Sequence, residues 1–324
     1  MSGIQPLFLL SLPRSGSTLL QRMLGAHSAI STAAEPWLLV APLYAMRHSG
    51  VYAEYSQKTS AKALEGFWQR LPHGRQDYLS EVGAMALRLY QKASDAGARY
   101  FLDKTPRYSL IIDELLETFP GAKTVFLWRN PLAVVASIVE AWFEGRWMPY
   151  RHKVDLFAGL DKLVTAYQRG PDGTVGVRYE DLVTDPRAVL QRILSCLELP
   201  WEDRVAWDLD GARVEGPVGD HGLRRYQTIS RESIDRWKAG LASPVRRAWC
   251  RHYLDWIGDE RLSAMGYDRH VLLEELEATP AARSTLVSDI WWTAKGLASL
   301  AVEPRILRHK LDRLRRPATI YIHT

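Results

Sequence analysis

A chain of 324 residues with 47% apolar and 24% charged residues is long enough to bury a real core, and its balance excludes a disordered or fibrous class. Two cysteines, Cys196 and Cys250, offer neither a disulfide framework nor metal-ligand spacing, so a reducing, cytoplasmic setting is expected and no metal is implied. The net charge of +5 lies in one place: residues 279–324 hold eight Lys/Arg against three Asp/Glu, which leaves the first 278 neutral and excludes a nucleic-acid surface there.

Taken in chain order, short apolar runs each lead through polar residues into a helical pattern. The run Leu7–Leu12, bounded by Pro6 and Pro13, is too short for a signal-peptide core or a membrane span and reads as a buried strand before a helix over Ser17–Gly25. Ala29–Ala33 leads through Glu35-Pro36 into a helix expected from Trp37. Arg99–Leu102 precedes a helix over Tyr108–Thr118, and Thr124–Trp128 precedes one over Leu132–Trp142. Thr174–Arg178 leads into a helix ending near Leu197, and another begins near Ser243. Strands without polar alternation, separated by helices, predict an α/β fold with a parallel sheet covered on both faces. Between Val51 and Ala98, and between Phe143 and Gly173, helical insertions are expected, suited to an acceptor-binding lid. Residues 1–278 are read as one domain and 279–324 as a basic helical extension packed on or beside it.

Pro13-Arg14-Ser15-Gly16-Ser17-Thr18 stands between the first strand and the first helix. A strand–glycine loop–helix unit aims backbone N–H groups and the positive end of a helix at one point, which suits a phosphate. Ser17 and Thr18 add hydroxyls and a helix cap. A kinase-type loop needs a Lys directly before the Ser/Thr, and here Gly16 and Ser17 precede Thr18. The strand Thr124–Trp128 also ends in Arg129 rather than a metal-binding Asp. ATP with magnesium is therefore the second reading, and a non-catalytic nucleotide-binding protein the third.

PRSGSTLLQRML resembles the 5′-phosphosulfate loop of the PAPS-dependent sulfotransferases, and FLWRNPLAVVAS resembles their 3′-phosphate motif. The resemblance implies a P-loop NTPase-like sheet, PAPS as donor, PAP as product and a hydroxyl acceptor, whether small molecule, glycan or peptide. Carried over by position, Arg14 and the backbone of Ser15, Gly16, Ser17 and Thr18 would hold the 5′-phosphosulfate, and Arg129 with Ser137 the 3′-phosphate. VRYEDLVTDP resembles a structural strand–turn–helix unit of the family, and ISRESIDRWKAGL a segment near the nucleotide, with Trp237 expected to be buried.

In the cytosolic members the base is a His after a Lys-Thr dipeptide, but Pro106 follows Lys104-Thr105 here. The tyrosylprotein sulfotransferases are the better template. Glu35 in STAAEP matches their catalytic carboxylate, and Lys104 in LDKTP their catalytic lysine. The residue before a proline is pushed out of the helical region, so Glu35 should leave its strand extended. Arg14, Glu35, Lys104 and Arg129 each follow a different strand, and ligands of open α/β sheets bind beyond the strands' carboxyl ends. Lys104 has two alternative partners, Asp103 and Glu35. His27 is expected to cap or pack; His48, His73, His152 and His221 are weaker candidates for a base. EAWFEGRWMPYRH suits an acceptor wall, a lid or a packed loop alike. The basic, amphipathic tail from Trp291 allows membrane contact or a dimer contact besides packing on the body.

Overall fold

The computed structural model describes residues 3–51, 53–207, 231–282 and 284–302, together with Leu307 and Leu311. The strands are β1 Gln5–Ser11, β2 Ile30–Thr32, β3 Tyr100–Asp103, β4 Lys123–Trp128 and β5 Thr174–Arg178. They form one parallel sheet in the order β2-β3-β1-β4-β5. Pro6 lacks an N–H to give to a ladder; it sits at the start of β1, one residue before the β4 pairing begins at Leu7.

Alternate side chains of each strand enter different layers. Phe8, Leu10, Phe101, Phe126 and Trp128 join one core, and Leu7, Leu9, Tyr100, Leu102, Val125 and Leu127 the other. Both faces are thus dry, which is why the strands read as unbroken apolar runs. The helices are α1 Ser17–Gly25, α2 Val40–Tyr44, α3 Gln57–Trp68, α4 Arg75–Ala93, α5 Ile112–Thr118, α6 Pro131–Phe143, α7 Leu160–Gln168, α8 Tyr179–Thr184, α9 Pro186–Cys196, α10 Arg204–Trp207, α11 Glu232–Gly240, α12 Pro244–Ala264, α13 Arg269–Ala278 and α14 Leu286–Val302. Helices α1, α8 and α9 cover the second core, while α4, α5, α6, α7 and α12 cover the first. The two insertions are helical, in α3 and α4 and again in α7 with the turns before it.

Three expected helices differ. The one from Trp37 is shortened to α2, because Trp37 takes a left-handed conformation (φ 51°) that a helix does not admit. The one over Tyr108–Thr118 begins as a 3-10 turn, Pro106–Ile111, before α5. The long helix ending near Leu197 breaks between α8 and α9 at Asp185-Pro186, where Asp185 caps α9 by accepting from the Ala188 N–H at 3.0 Å.

Helix α14 rests on α12 through a buried ion pair. Arg246 Nε and Nη2 donate to Asp289 at 2.9 and 2.7 Å, and the carboxylate is wholly buried. The same guanidinium donates to the carbonyls of Gly240 and Gly145, both at 2.8 Å. A Cβ on Gly296 would stand 2.5 Å from the Tyr150 ring, so α14 lies directly on the segment after α6. Residues 208–230 with His221, and nearly all of the sequence after Val302, lie outside the described residues. No described helix is long and apolar enough to cross a membrane.

Removing one partner of a buried ion pair strands the other charge. Asp289→Ala is expected to cost about 3 kcal/mol of stability, read as a lower urea midpoint, and Asp289→Leu combined with Arg246→Met to recover most of it.

Candidate functional site

The loop after β1 turns through two left-handed residues, Arg14 (φ 67°) and Gly16 (φ 89°). Gly16 is required twice over: its φ disfavours other residues, and a Cβ there would stand 2.3 Å from Cδ2 of Tyr179. Gly16 is also the N-cap of α1 and makes no side-chain cap. The cap expected from Ser17 and Thr18 is not formed, because Ser17 is already the first helical residue. The first turn of α1 therefore has no side-chain cap; its Leu19 and Leu20 N–H groups donate to the Gly16 carbonyl, and Ser15, Ser17 and Thr18 are buried.

Across from this loop, Asn130 caps α6 through the Leu132 N–H at 2.9 Å, and Pro131 fills its first position. That junction sets Arg129 at the end of β4. Its Nη1 donates to the Arg14 carbonyl at 2.8 Å and its Nη2 to the Ser233 carbonyl at 3.1 Å. The guanidinium lies over the Tyr179 ring, 4.5 Å from the centroid. Arg129 Nε is buried and has no hydrogen-bond partner among the described residues. One turn and more into α6, Ser137 Oγ accepts from Arg14 Nε at 3.3 Å. Arg14, Arg129 and Ser137 are thus brought together as a cationic, donor-rich cluster. A buried N–H without an acceptor, beside uncapped helix amides and a glycine with no room for a Cβ, fits a phosphorylated ligand.

Glu35 and Lys104 also meet. Lys104 Nζ donates to Glu35 Oε1 at 2.7 Å, with side chains only 3% and 12% exposed respectively. Asp103, the alternative partner, is occupied elsewhere: it is fully buried and accepts from Tyr90 at 2.6 Å, Tyr108 at 2.7 Å and Thr105 at 3.0 Å. That cluster fixes the end of β3 and hence the lysine beside it. Beyond β2, Pro36 and the left-handed Trp37 reverse the chain, and the Trp37 indole donates to Glu35 Oε2 at 3.2 Å.

Tyr179 and Glu180 carried no functional signal of their own in the sequence. Tyr179 touches both the Gly16 loop and Arg129 and bonds Ser233 Oγ at 2.8 Å; only its place in the VRYEDLVTDP segment pointed to it. Glu180 accepts from the Asn130 N–H at 2.9 Å and from Tyr267 at 2.6 Å, steadying the Arg129 junction from beneath. His152 Nδ1 lies 2.9 Å from the buried Asp155, which also faces Arg107 at 3.2 Å. The His152 ring packs on Trp142 at 4.4 Å, and Trp142 in turn lies 6.0 Å from the Arg14 guanidinium. His27 packs as expected, held by the Pro200 carbonyl and the Ala29 N–H, while His48 pairs with Glu65 on the surface. Trp237 is buried and Arg236 points to solvent.

The family model for the Sulfotransferase family matches residues 6–203. Nodulation protein NoeE of Sinorhizobium fredii is 29% identical over 81% of this chain and 66% of its own length. Protein-tyrosine sulfotransferase 1 of Danio rerio is 23% identical over 82% of this chain and 72% of its own. The chain thus spans about two thirds of the length of these relatives. The solved sulfotransferase domain from the curacin biosynthetic pathway superposes with a TM-score of 0.51 at 25% identity, covering 74% of this chain and 91% of that domain, so the expected sulfotransferase-type sheet is the observed one.

Burial pushes the Asp103 carboxyl up to about 6, against the pull of its three hydroxyl donors. The folded state then holds that proton more tightly than the unfolded chain, so this group favours folding as pH falls through 6 toward 4. Wild type should gain about 1 kcal/mol from it between pH 7 and pH 5. Asp103→Asn should lack that increment in urea titrations at the two pH values.

Proposed function

Because the chain belongs to the Sulfotransferase family, we propose that it transfers a sulfonate group from PAPS to a hydroxyl acceptor. The buried, unspent Nε–H of Arg129, joined to Ser137 and Arg14, is the observation that most supports a donor carrying a 3′-phosphate. Arg129 and Ser137 would hold that phosphate. Arg14, the amides of Ser15, Gly16, Ser17 and Thr18, and the start of α1 would hold the 5′-phosphosulfate. When bound, the donor supplies a sulfonate activated by a phosphate leaving group.

On the acceptor side, Glu35 takes the proton of the attacking hydroxyl onto its carboxylate. Lys104, 2.7 Å from that carboxylate, and Arg14 set positive charge where oxygen gains negative charge in an in-line transfer. The ion pair and the Trp37 indole orient Glu35, and the Asp103 cluster orients Lys104. The acceptor approaches between Trp37 and Trp142, 39% and 43% exposed, one bonded to the base and the other lying near Arg14. Flat apolar faces of this kind suit a sugar ring or an aromatic alcohol. A kinase reading lacks its lysine: Ser17 stands directly before Thr18 in the loop.

Calorimetry is expected to show PAP binding without added metal and indifference to ATP with magnesium; the reverse order would replace this reading with the kinase one. PAP binding without turnover on phenolic, glycan and peptide acceptors would leave only a nucleotide-binding protein. Glu35→Gln should lower kcat by at least about a hundredfold while leaving PAP affinity intact. Arg129→Met should weaken PAP binding by roughly 30-fold, the worth of a lost charge-assisted hydrogen bond.

A further inference from the structure

Helix α14 buries one face and offers the other, and both are unusual. Asp289 and Gly296 are buried and Trp292 is half-buried against the first core. Val287, Ile290, Trp291 and Leu297 are 82%, 54%, 65% and 66% exposed. With the exposed Ala294 and Ala298 they recur at steps of three and four residues, which makes a single apolar stripe along the helix. Large apolar side chains exposed one at a time need no explanation, but a contiguous stripe with a central tryptophan does.

The charge of the neighbouring sequence says what covers it. The whole net charge of +5 belongs to residues 279–324, and six of the basic residues there, Arg305, Arg308, Lys310, Arg313, Arg315 and Arg316, follow α14 directly. Within that count, Asp289 is already spent on Arg246. A second copy of the chain would bring one cationic segment against another. An anionic surface would not, and an apolar stripe beside a basic run is the pattern that seats in a headgroup layer. We propose that α14 is a membrane-docking helix that recognises the surface of an anionic phospholipid bilayer. It lies on the surface and does not span it.

The placement ties docking to the acceptor entrance. Gly296 packs on Tyr150, and Arg246, the partner of Asp289, holds the Gly145 carbonyl; both belong to the segment that runs from Trp142 to His152. A bilayer against α14 would therefore lie next to the rim through which the acceptor enters. This docking stands apart from the chemistry proposed for the site and is tested without it.

The full chain is to be sedimented with vesicles of phosphatidylcholine and of phosphatidylcholine mixed with phosphatidylglycerol. Binding to the mixed vesicles, weak binding to the neutral ones, and loss of binding in high salt are expected. Ile290→Glu with Trp291→Glu, both on exposed positions, should weaken binding to the mixed vesicles at least about tenfold. PAP affinity and the helical content by circular dichroism should stay as in wild type, which separates loss of docking from loss of fold. A chain that stays in the supernatant with anionic vesicles overturns the proposal. So does full binding by the double variant, since the basic segment alone would then carry it. A dimer in light scattering without lipid, abolished by the same double variant, overturns it in favour of a contact between copies.

Discussion

The guanidinium of Arg129 is the contact on which the site depends. It joins three stretches far apart in sequence: the carbonyl of Arg14 in the first loop, the carbonyl of Ser233 in α11, and the ring of Tyr179 after β5. A cation held by two neutral carbonyls and an aromatic face is partly desolvated and not neutralised. The arrangement becomes favourable when an anion arrives, because the remaining N–H groups then gain acceptors. Tyr179 makes the geometry rigid. It fills the space where a Cβ on Gly16 would go, so the Gly16 loop and the arginine are registered against one ring.

The Glu35–Lys104 pair, proposed as the reacting groups, sits beyond the ends of β2 and β3 and uses a different device. Asp103 is sealed in the core under two tyrosines and a threonine, so the residue after it has little choice of direction. Lys104 emerges at the strand end and meets Glu35, which Pro36 has kept from entering a helix. The proline at 106, where a histidine would stand in the cytosolic members of the family, has its own work. It opens the 3-10 turn that places Tyr108 on Asp103. Pro106 thus supports, through Tyr108 and Asp103, the position of the lysine two residues earlier.

Much of this was legible because it is local. An apolar run covered on both faces, a glycine between strand and helix, and Asn130-Pro131 as cap and first helical residue all act within a few residues of themselves. So the parallel sheet and the four strand-end residues Arg14, Glu35, Lys104 and Arg129 could be read from the chain. What escaped was set by partners distant in sequence. The sequence predicts a helix from Trp37, whereas its left-handed turn brings its N–H to 3.4 Å from Thr105 Oγ1 and its indole to Glu35. Tyr179 looked structural because nothing near it in sequence shows that Gly16 and Arg129 share its ring. The cap expected from Ser17 failed by one position: Ser17 is already helical, and the Leu19 and Leu20 N–H groups donate to the Gly16 carbonyl instead.

Two buried carboxylates are met in different ways. Asp289 and Asp103 are both wholly buried carboxylates, yet one is met by a guanidinium and the other by hydroxyls. The guanidinium also holds the Gly240 and Gly145 carbonyls, so the pair fastens α14 to the segment after α6. Burial lifts the Asp103 pKa and outweighs the pull of its three hydroxyl donors and of the neighbouring Lys104 charge. The difference suits the positions. Lys104, the residue after Asp103, gives its hydrogen bond to Glu35, whereas Asp289 receives a full ion pair from Arg246.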